Sequence, residues 1–158
     1  MGRKYNIVAV GGTFDHFHRG HETLISTCFE IGEKVIIGIT SDGFATKLAK
    51  RTEQPFDERI AALKNFVGPK FPKHRYEIHN LEDYFGPAVI EEDVQALVVT
   101  KETAPRVEMA NKERSKRGLK PLETVLINFV AAEDGRPISS TRIRTGEIDK
   151  EGKVLKQN

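Results

Sequence analysis

Short apolar runs punctuate the chain, and each gives way to a polar or glycine-containing segment. Tyr5-Asn6-Ile7-Val8-Ala9-Val10 is mostly β-branched or apolar and runs into Gly11-Gly12, which predicts a buried strand feeding a tight loop. From His21 onward Leu24, Ile25, Cys28, Phe29 and Ile31 recur at helical spacing, so a helix opens at or near Gly20-His21. Gly32 stands where its C-cap is expected. Lys34-Val35-Ile36-Ile37-Gly38-Ile39-Thr40 is apolar on both faces, the pattern of a central parallel strand, and it completes a first βαβ unit. Pro55 and Asp57 precede Ile60, Leu63, Phe66 and Val67, a second amphipathic helix predicted to stop before Gly68-Pro69. Tyr76-Glu77-Ile78-His79, Ala96-Leu97-Val98-Val99-Thr100 and Thr124-Val125-Leu126-Ile127 read as further strands. Residues 104–117 read as a charged helix closed by Gly118, and Ser139-Ser140-Thr141 as the opening of a last helix.

Repeated strand-helix order with all-apolar strands predicts an α/β fold, a Rossmann-like open parallel sheet of about five strands with helices on both faces. A length of 158 residues suits a single domain over residues 1–158, with a polar C-terminal tail from about 146 that has little to anchor it. Hydrophobic residues at 38% and charged residues at 30% suit a soluble globule. No apolar run spans a bilayer, and Arg3 and Lys4 lead directly into a strand rather than a secretory leader, so no membrane partner and a cytoplasmic address are expected. A net charge of +2 is too small for a global basic field, which argues against a nucleic-acid partner and requires any anion site to be local. The single cysteine, Cys28, sits among Leu24, Ile25 and Phe29 and is expected to be a buried, inert thiol. No outward apolar stripe stands clear of the predicted core faces to set an oligomeric state.

In such a sheet ligands bind at the carboxyl ends of the strands, where strand order reverses. Residues 11–21, 41–51 and 100–103 follow predicted strand ends, and residues 138–144 are expected to close the same face. In the first segment Gly11 and Gly12 let backbone approach a ligand, and Thr13 and Phe14 follow them. Gly20 falls at a helix N-terminus, where unpaired N–H groups and a partial positive charge favour anions. His18 and His21 can place both imidazoles on one side of that entrance as donors to phosphate. Neither G-x-x-x-x-G-K-[ST] nor G-x-G-x-x-G is present. The rival reading makes His16, His18 and His21 zinc ligands, but it leaves the glycines unexplained. His16 alone is expected to be structural, or to support a neighbour that touches the ligand, rather than to be a ligand itself.

Ser139, Ser140 and Thr141 supply hydroxyls at a second predicted helix N-terminus, and Arg142 and Arg144 follow; an arginine there can hold a phosphate oxygen in its fork. The two segments together make a triphosphate clamp. Lys47, Lys50 and Arg51 after the second strand, and Lys101 after the fourth, are the candidate cations for an acceptor phosphate or for charge developing at the reacting phosphorus. Arg106, Lys112, Arg114, Lys116 and Arg117 are expected to form a solvated helix face with Glu108 and Glu113.

Residues 11–21 and 138–144 resemble the two signature motifs of the nucleotidyltransferase superfamily that includes the class I aminoacyl-tRNA synthetases. Within it the chain is similar to the phosphopantetheine adenylyltransferases of archaea and of the eukaryotic coenzyme A synthase. Gly11-Gly12-Thr13-Phe14-Asp15-His16 before the histidine pair carries that likeness, with Pro55-Phe56 and Glu58-Arg59. So do Thr100-Lys101-Glu102-Thr103, leading through Asn111 and Arg114 to Gly118-Leu119, and Ile138-Ser139-Ser140-Thr141-Arg142-Ile143-Arg144. The resemblance implies transfer of AMP from ATP to 4′-phosphopantetheine, giving dephospho-coenzyme A and pyrophosphate. It places Gly11, Gly12, Thr13, Phe14, His18, Gly20, His21, Ser139, Ser140, Thr141 and Arg144 at ATP. It places Thr13, Lys47, Lys50, Thr100 and Lys101 at the acceptor, with His18, His21 and Lys47 or Lys50 catalytic. The bacterial enzymes have arginines where this chain has Thr100 and Lys101. No protein metal ligands are expected, since Mg²⁺ would be held by the triphosphate. The alternatives are transfer to another small phosphate acceptor, FMN or NMN, and a non-catalytic nucleotide-binding domain.

Overall fold

The structure, a computed structural model, describes residues 3–48, 52–84, 86, 88 and 91–155. Its strands are β1 (Tyr5–Gly12), β2 (Gly32–Thr40), β3 (Arg75–Leu81), β4 (Ala96–Thr100) and β5 (Glu123–Ile127). Its described helices are α1 (Arg19–Ile31), α2 (Asp42–Lys47), α3 (Phe56–Lys70), α4 (Pro105–Lys116) and α5 (Ser140–Arg144). All strand pairs are parallel, in the order β3-β2-β1-β4-β5. This is the open sheet the apolar runs predict.

The period of two along each strand divides the core between the two faces of the sheet. Val8, Val10, Val35 and Ile37 pack with Ile25, Cys28 and Phe29 of α1 and Leu63 and Val67 of α3. Ala9 and Ile36, one residue out of phase, pack with Ala110 of α4 and with Ala88, Val94 and Leu122. Burying each such aliphatic side chain contributes about 1.5–3 kcal/mol, so the sheet is held from both sides. Cys28 is wholly buried and burial pushes its thiol pKa up, in keeping with an inert group.

Local differences from the sequence expectations have physical causes. The polar stretch after β2 contains a helix, α2, capped by the Ser41 hydroxyl, which accepts from the Phe44 amide at 3.0 Å. Helix α3 does not stop before Gly68-Pro69 but runs to Lys70. A proline in a last turn loses one hydrogen bond, and the residue before it, glycine, has no Cβ to clash with the ring. Gly32 does end α1, but in extended rather than left-handed conformation (φ −116°, ψ 139°), because it already belongs to β2. The segment after residue 146 is better anchored than expected. Ile148 is 1% exposed and packs with Ala132 and Ile138. Most of the anchoring is backbone: Glu133 donates to the Gly152 carbonyl at 2.8 Å and Arg19 to that of Lys150 at 3.0 Å. A single buried isoleucine among polar neighbours leaves no periodic signal. Among the described residues no helix is long and apolar enough to cross a membrane.

Candidate active site

Strand order reverses between β1 and β4: the chain winds outward through β2 and β3, then crosses back to β4 and β5. Residues 11–21 leave the carboxyl end of β1 and residues 100–103 that of β4, so both border the crevice that a reversal of strand order opens.

His18 is the N-cap of α1, and its Nδ1 accepts from the amides of Gly20 (3.0 Å) and His21 (3.4 Å). The Nδ1 of His21 reaches back to accept from the His18 amide at 3.3 Å, closing a capping box built of two imidazoles. The rings stack with centroids 3.7 Å apart. A neutral imidazole whose Nδ1 accepts carries its proton on Nε2, so each ring retains one N–H donor. A Cβ on Gly20 would lie 2.8 Å from His18 Cε1, which accounts for glycine between the two histidines. The α1 amides that were expected to meet an anion are instead engaged: Arg19 by Lys150, Gly20 and His21 by His18 Nδ1, and Glu22 by the His18 carbonyl at 3.0 Å. The donors left at this entrance are the Nε2–H groups, which the helix dipole supports from behind.

Burial lowers the pKa of His18 to about 4, with His16 adding to the effect, and burial together with His18 holds that of His21 well below its ordinary value. For His18, which is 6% exposed, the folded pKa lies below the unfolded one, so protonation favours unfolding. Its neutral form supports stability fully above pH ~6.5, and that support is lost as pH falls from ~6.5 to about 4, by roughly 3 kcal/mol in all. Urea unfolding between pH 7 and 4 should show this loss, and His18→Gln should flatten it; an unchanged slope in the variant assigns the loss to other groups.

The loop before the histidines is conformationally strained, since Phe14 (φ 56°) and His16 (φ 48°) both occupy the left-handed region. Its partners hold it there. Asp15 is 3% exposed and its carboxylate accepts from the amides of Glu53 (3.2 Å) and Gln54 (3.0 Å). The His16 amide donates to Gln54 Oε1 at 2.9 Å, and the His16 ring bonds Glu53 at 2.8 Å. Among the described residues no three His, Cys, Asp or Glu side chains form a metal-holding group, so the zinc reading gains no support.

The two signature segments meet at Asp15. Ser140 Oγ donates to the Asp15 carbonyl at 2.6 Å, and Arg144 Nη1 lies 3.6 Å from the Asp15 carboxylate. Arg144 also bonds Thr141 Oγ1 at 3.3 Å, while Ser139 Oγ caps α5 by accepting from the Arg142 amide at 3.2 Å. At five residues α5 brings little dipole, so this side of the crevice contributes hydroxyls and a guanidinium. Arg142 turns away to Asp134, Glu147 and the Pro137 carbonyl.

Beside the loop an apolar pocket, lined by Gly11, Gly38, Leu81, Tyr84, Thr103 and Arg106 among others, opens between the carboxyl ends of β1, β2 and β4. Gly12 and Thr13 continue from Gly11, and the Phe14 ring packs 5.1 Å from that of His21. Thr100 and Thr103 share a hydroxyl contact of 3.3 Å at the end of β4. Lys101 and Lys47, the last residue of α2, are exposed. Lys50 and Arg51 lie outside the described residues. The expected solvated face of α4 is corrected at two places. Arg106 lines the pocket, its guanidinium 4.7 Å from the Tyr84 ring centroid. Arg114 is 1% exposed and donates to the carbonyls of Lys120 (2.7 Å), Ala88 (2.8 Å), Glu91 (2.9 Å) and Val94 (3.3 Å). A signal for Arg114 was available, since it continues the stripe of Val107 and Ala110 at helical spacing. Arg59 likewise precedes Leu63 and Val67 by four and eight positions in α3. Nothing in spacing distinguishes Asp15.

Together the switch-point crevice, the paired imidazoles and the hydroxyl-arginine segment define a nucleotidyltransferase, and the cytidylyltransferase-like family model matches residues 9–146. The fold is shared with a bifunctional NMN adenylyltransferase/ADP ribose pyrophosphatase from Francisella tularensis (TM-score 0.59, 17% identity, 89% of this chain and 41% of that one). Two similar relatives narrow the class. A phosphopantetheine adenylyltransferase of Methanothermobacter thermautotrophicus is 44% identical over 99% of this chain and 94% of its own length. One of Methanosarcina acetivorans is 45% identical over 96% and 97%. The chain belongs to the phosphopantetheine adenylyltransferases.

Proposed function

We propose that this chain transfers AMP from ATP to 4′-phosphopantetheine, giving dephospho-coenzyme A and pyrophosphate. The observation that carries the reading is the junction at Asp15, which joins the imidazole pair on α1 to the Ser140 and Arg144 side of one crevice, beside an apolar pocket. In this reading Gly11, Gly12, Thr13, Phe14, Gly20, His18 and His21 form one wall of the triphosphate site. Ser139, Ser140, Thr141 and Arg144 form the other. The acceptor phosphate lies toward Thr13, Thr100, Lys101 and the loop of Lys47 and Lys50, its arm in the pocket.

The acceptor phosphate is itself an oxygen nucleophile, so no covalent enzyme intermediate is needed. Its oxygen bonds to the α-phosphorus as the bond from that phosphorus to the bridging oxygen breaks, and pyrophosphate departs with the electron pair. The protein's part is orientation and charge stabilisation, with the Nε2–H groups of His18 and His21 as neutral donors to the transferring phosphoryl group. Mg²⁺, carried on triphosphate oxygens and water, would offset phosphate charge. A cytoplasmic address suits such chemistry.

A pyrophosphate-release assay with ATP and 4′-phosphopantetheine, run beside NMN and FMN, tests the reading. Release with 4′-phosphopantetheine alone is expected, and none with any acceptor would favour a binding domain. Among the described residues lining the pocket, Arg106 carries the charged side chain, and the Tyr84 ring supports it. Arg106→Gln should raise the KM for 4′-phosphopantetheine by about tenfold, the low end for a hydrogen bond to a charged partner, with the KM for ATP unchanged.

A further inference from the structure

Arg59 has 0% exposure, and its guanidinium, 5.6 Å from the Phe56 ring centroid, grips the segments around the crevice. Nη1 donates to the carbonyls of Thr13 (2.9 Å) and Thr40 (2.6 Å), Nε to that of Gln54 (3.0 Å), and Nη2 to the Asp42 carboxylate (2.7 Å). Thr13 stands in the loop leaving β1, Thr40 ends β2, and Asp42 opens α2, the helix that carries Lys47. Gln54 extends the connection, since its amide and side chain bond Asp15 and His16. The other Asp42 oxygen accepts from the Phe56 amide at 3.2 Å, so the start of α3 is tied in as well.

Such a grip answers a need of the loop. Phe14 and His16 occupy left-handed backbone that is uncommon for residues other than glycine, and that conformation persists where surrounding bonds determine it. A planar guanidinium can meet three carbonyls and a carboxylate in fixed directions, whereas a lysine ammonium has fewer donors and no planar fork. The Asp42 carboxylate supplies the counter-charge from the solvent edge, its side chain 56% exposed.

We propose that Arg59 is a positioning residue for nucleotidyl transfer. By binding the Thr13 carbonyl to the end of β2 and the start of α2, it fixes the triphosphate loop against the segment that meets the acceptor. The inference rests on the reading above that these two segments serve the two substrates. Its mark is a loss in kcat rather than in the binding of either substrate alone, because each loop can still hold its own ligand while their mutual placement slackens.

The test compares Arg59→Lys and Asp42→Ala with Val67→Ala, which weakens α3 without touching the loops. All are assayed at a temperature where circular dichroism shows them fully folded. Arg59→Lys should lower kcat about tenfold, a fraction of the ~10²-fold that an ångström of misplacement costs. Asp42→Ala, which removes the counter-charge and leaves the carbonyl contacts of Arg59 in place, should show a smaller loss in the same parameter. ATP affinity by equilibrium binding should stay within about twofold in both, and Val67→Ala should keep the wild-type kcat. Wild-type kcat in folded Arg59→Lys and Asp42→Ala overturns the proposal, as does an equal loss in Val67→Ala. A wild-type protein inactive with ATP and 4′-phosphopantetheine sinks the functional reading instead.

Discussion

Replacing His21 with alanine is expected to lower turnover by on the order of 10²-fold or more, the scale of a lost donor to charge in the transition state. The expectation follows from what each ring nitrogen does. Nδ1 accepts from the His18 amide and is spent on the cap, which leaves Nε2–H as the donor of the ring. Burial keeps the ring neutral at pH 7, so it donates a hydrogen bond without carrying a charge that substrate binding would have to neutralise. Two further variants separate cap from donor. Asparagine can restore the near acceptor but not the far donor, so His21→Asn should keep much of the stability and remain slow. Glutamine can reach the far position, so His21→Gln should recover part of the rate. The loss should fall on kcat more than on the KM for ATP, as for an interaction realised in the transition state. A near-normal rate for the alanine variant removes His21 from the chemistry.

Arg114→Ala should destabilise the fold by about 3–5 kcal/mol in urea unfolding, the range for a buried polar network broken at its centre. Four carbonyl oxygens, from Lys120, Ala88, Glu91 and Val94, accept from this guanidinium, and alanine leaves them without it in the interior. Each orphaned buried acceptor costs ~1–3 kcal/mol before any relaxation or entry of water, and the emptied volume adds to it. Arg114→Lys should recover part of the loss, because three donors on a flexible stem meet fewer of the four carbonyls. A change below about 1 kcal/mol for alanine would mean that water replaces the guanidinium freely.

The strands were legible because a parallel sheet covered on both faces is apolar at nearly every position, as Val35-Ile36-Ile37 is. The two signature segments were legible because they pair glycine, histidine and hydroxyl residues in combinations that a core does not need. The polar bracing was not. Arg59 and Arg114 look like surface residues by type, and only their place on a stripe with Leu63, Val67, Val107 and Ala110 betrays them. Asn111 carries no signal in its spacing, yet it bonds both backbone groups of Leu122, at 2.7 and 3.2 Å, and so ties α4 to the approach of β5. The state of the α1 amides could not be foreseen either. It depends on the Lys150 carbonyl arriving from a distant segment and on both imidazoles turning Nδ1 inward. Periodicity reports which face of an element is buried; it does not report where donors are spent.

β1 pairs with β2 from Tyr5 to Gly12 but with β4 from Val8 to Val10. The histidine loop hangs from β1, while Thr103, Arg106 and Ala110, which wall the pocket, hang from β4 and the helix after it. Three residue pairs thus join the strand that bears the histidine loop to the strand that bears this wall of the pocket, so a change at Thr103, Arg106 or Ala110 reaches that loop across a short stretch of backbone pairing.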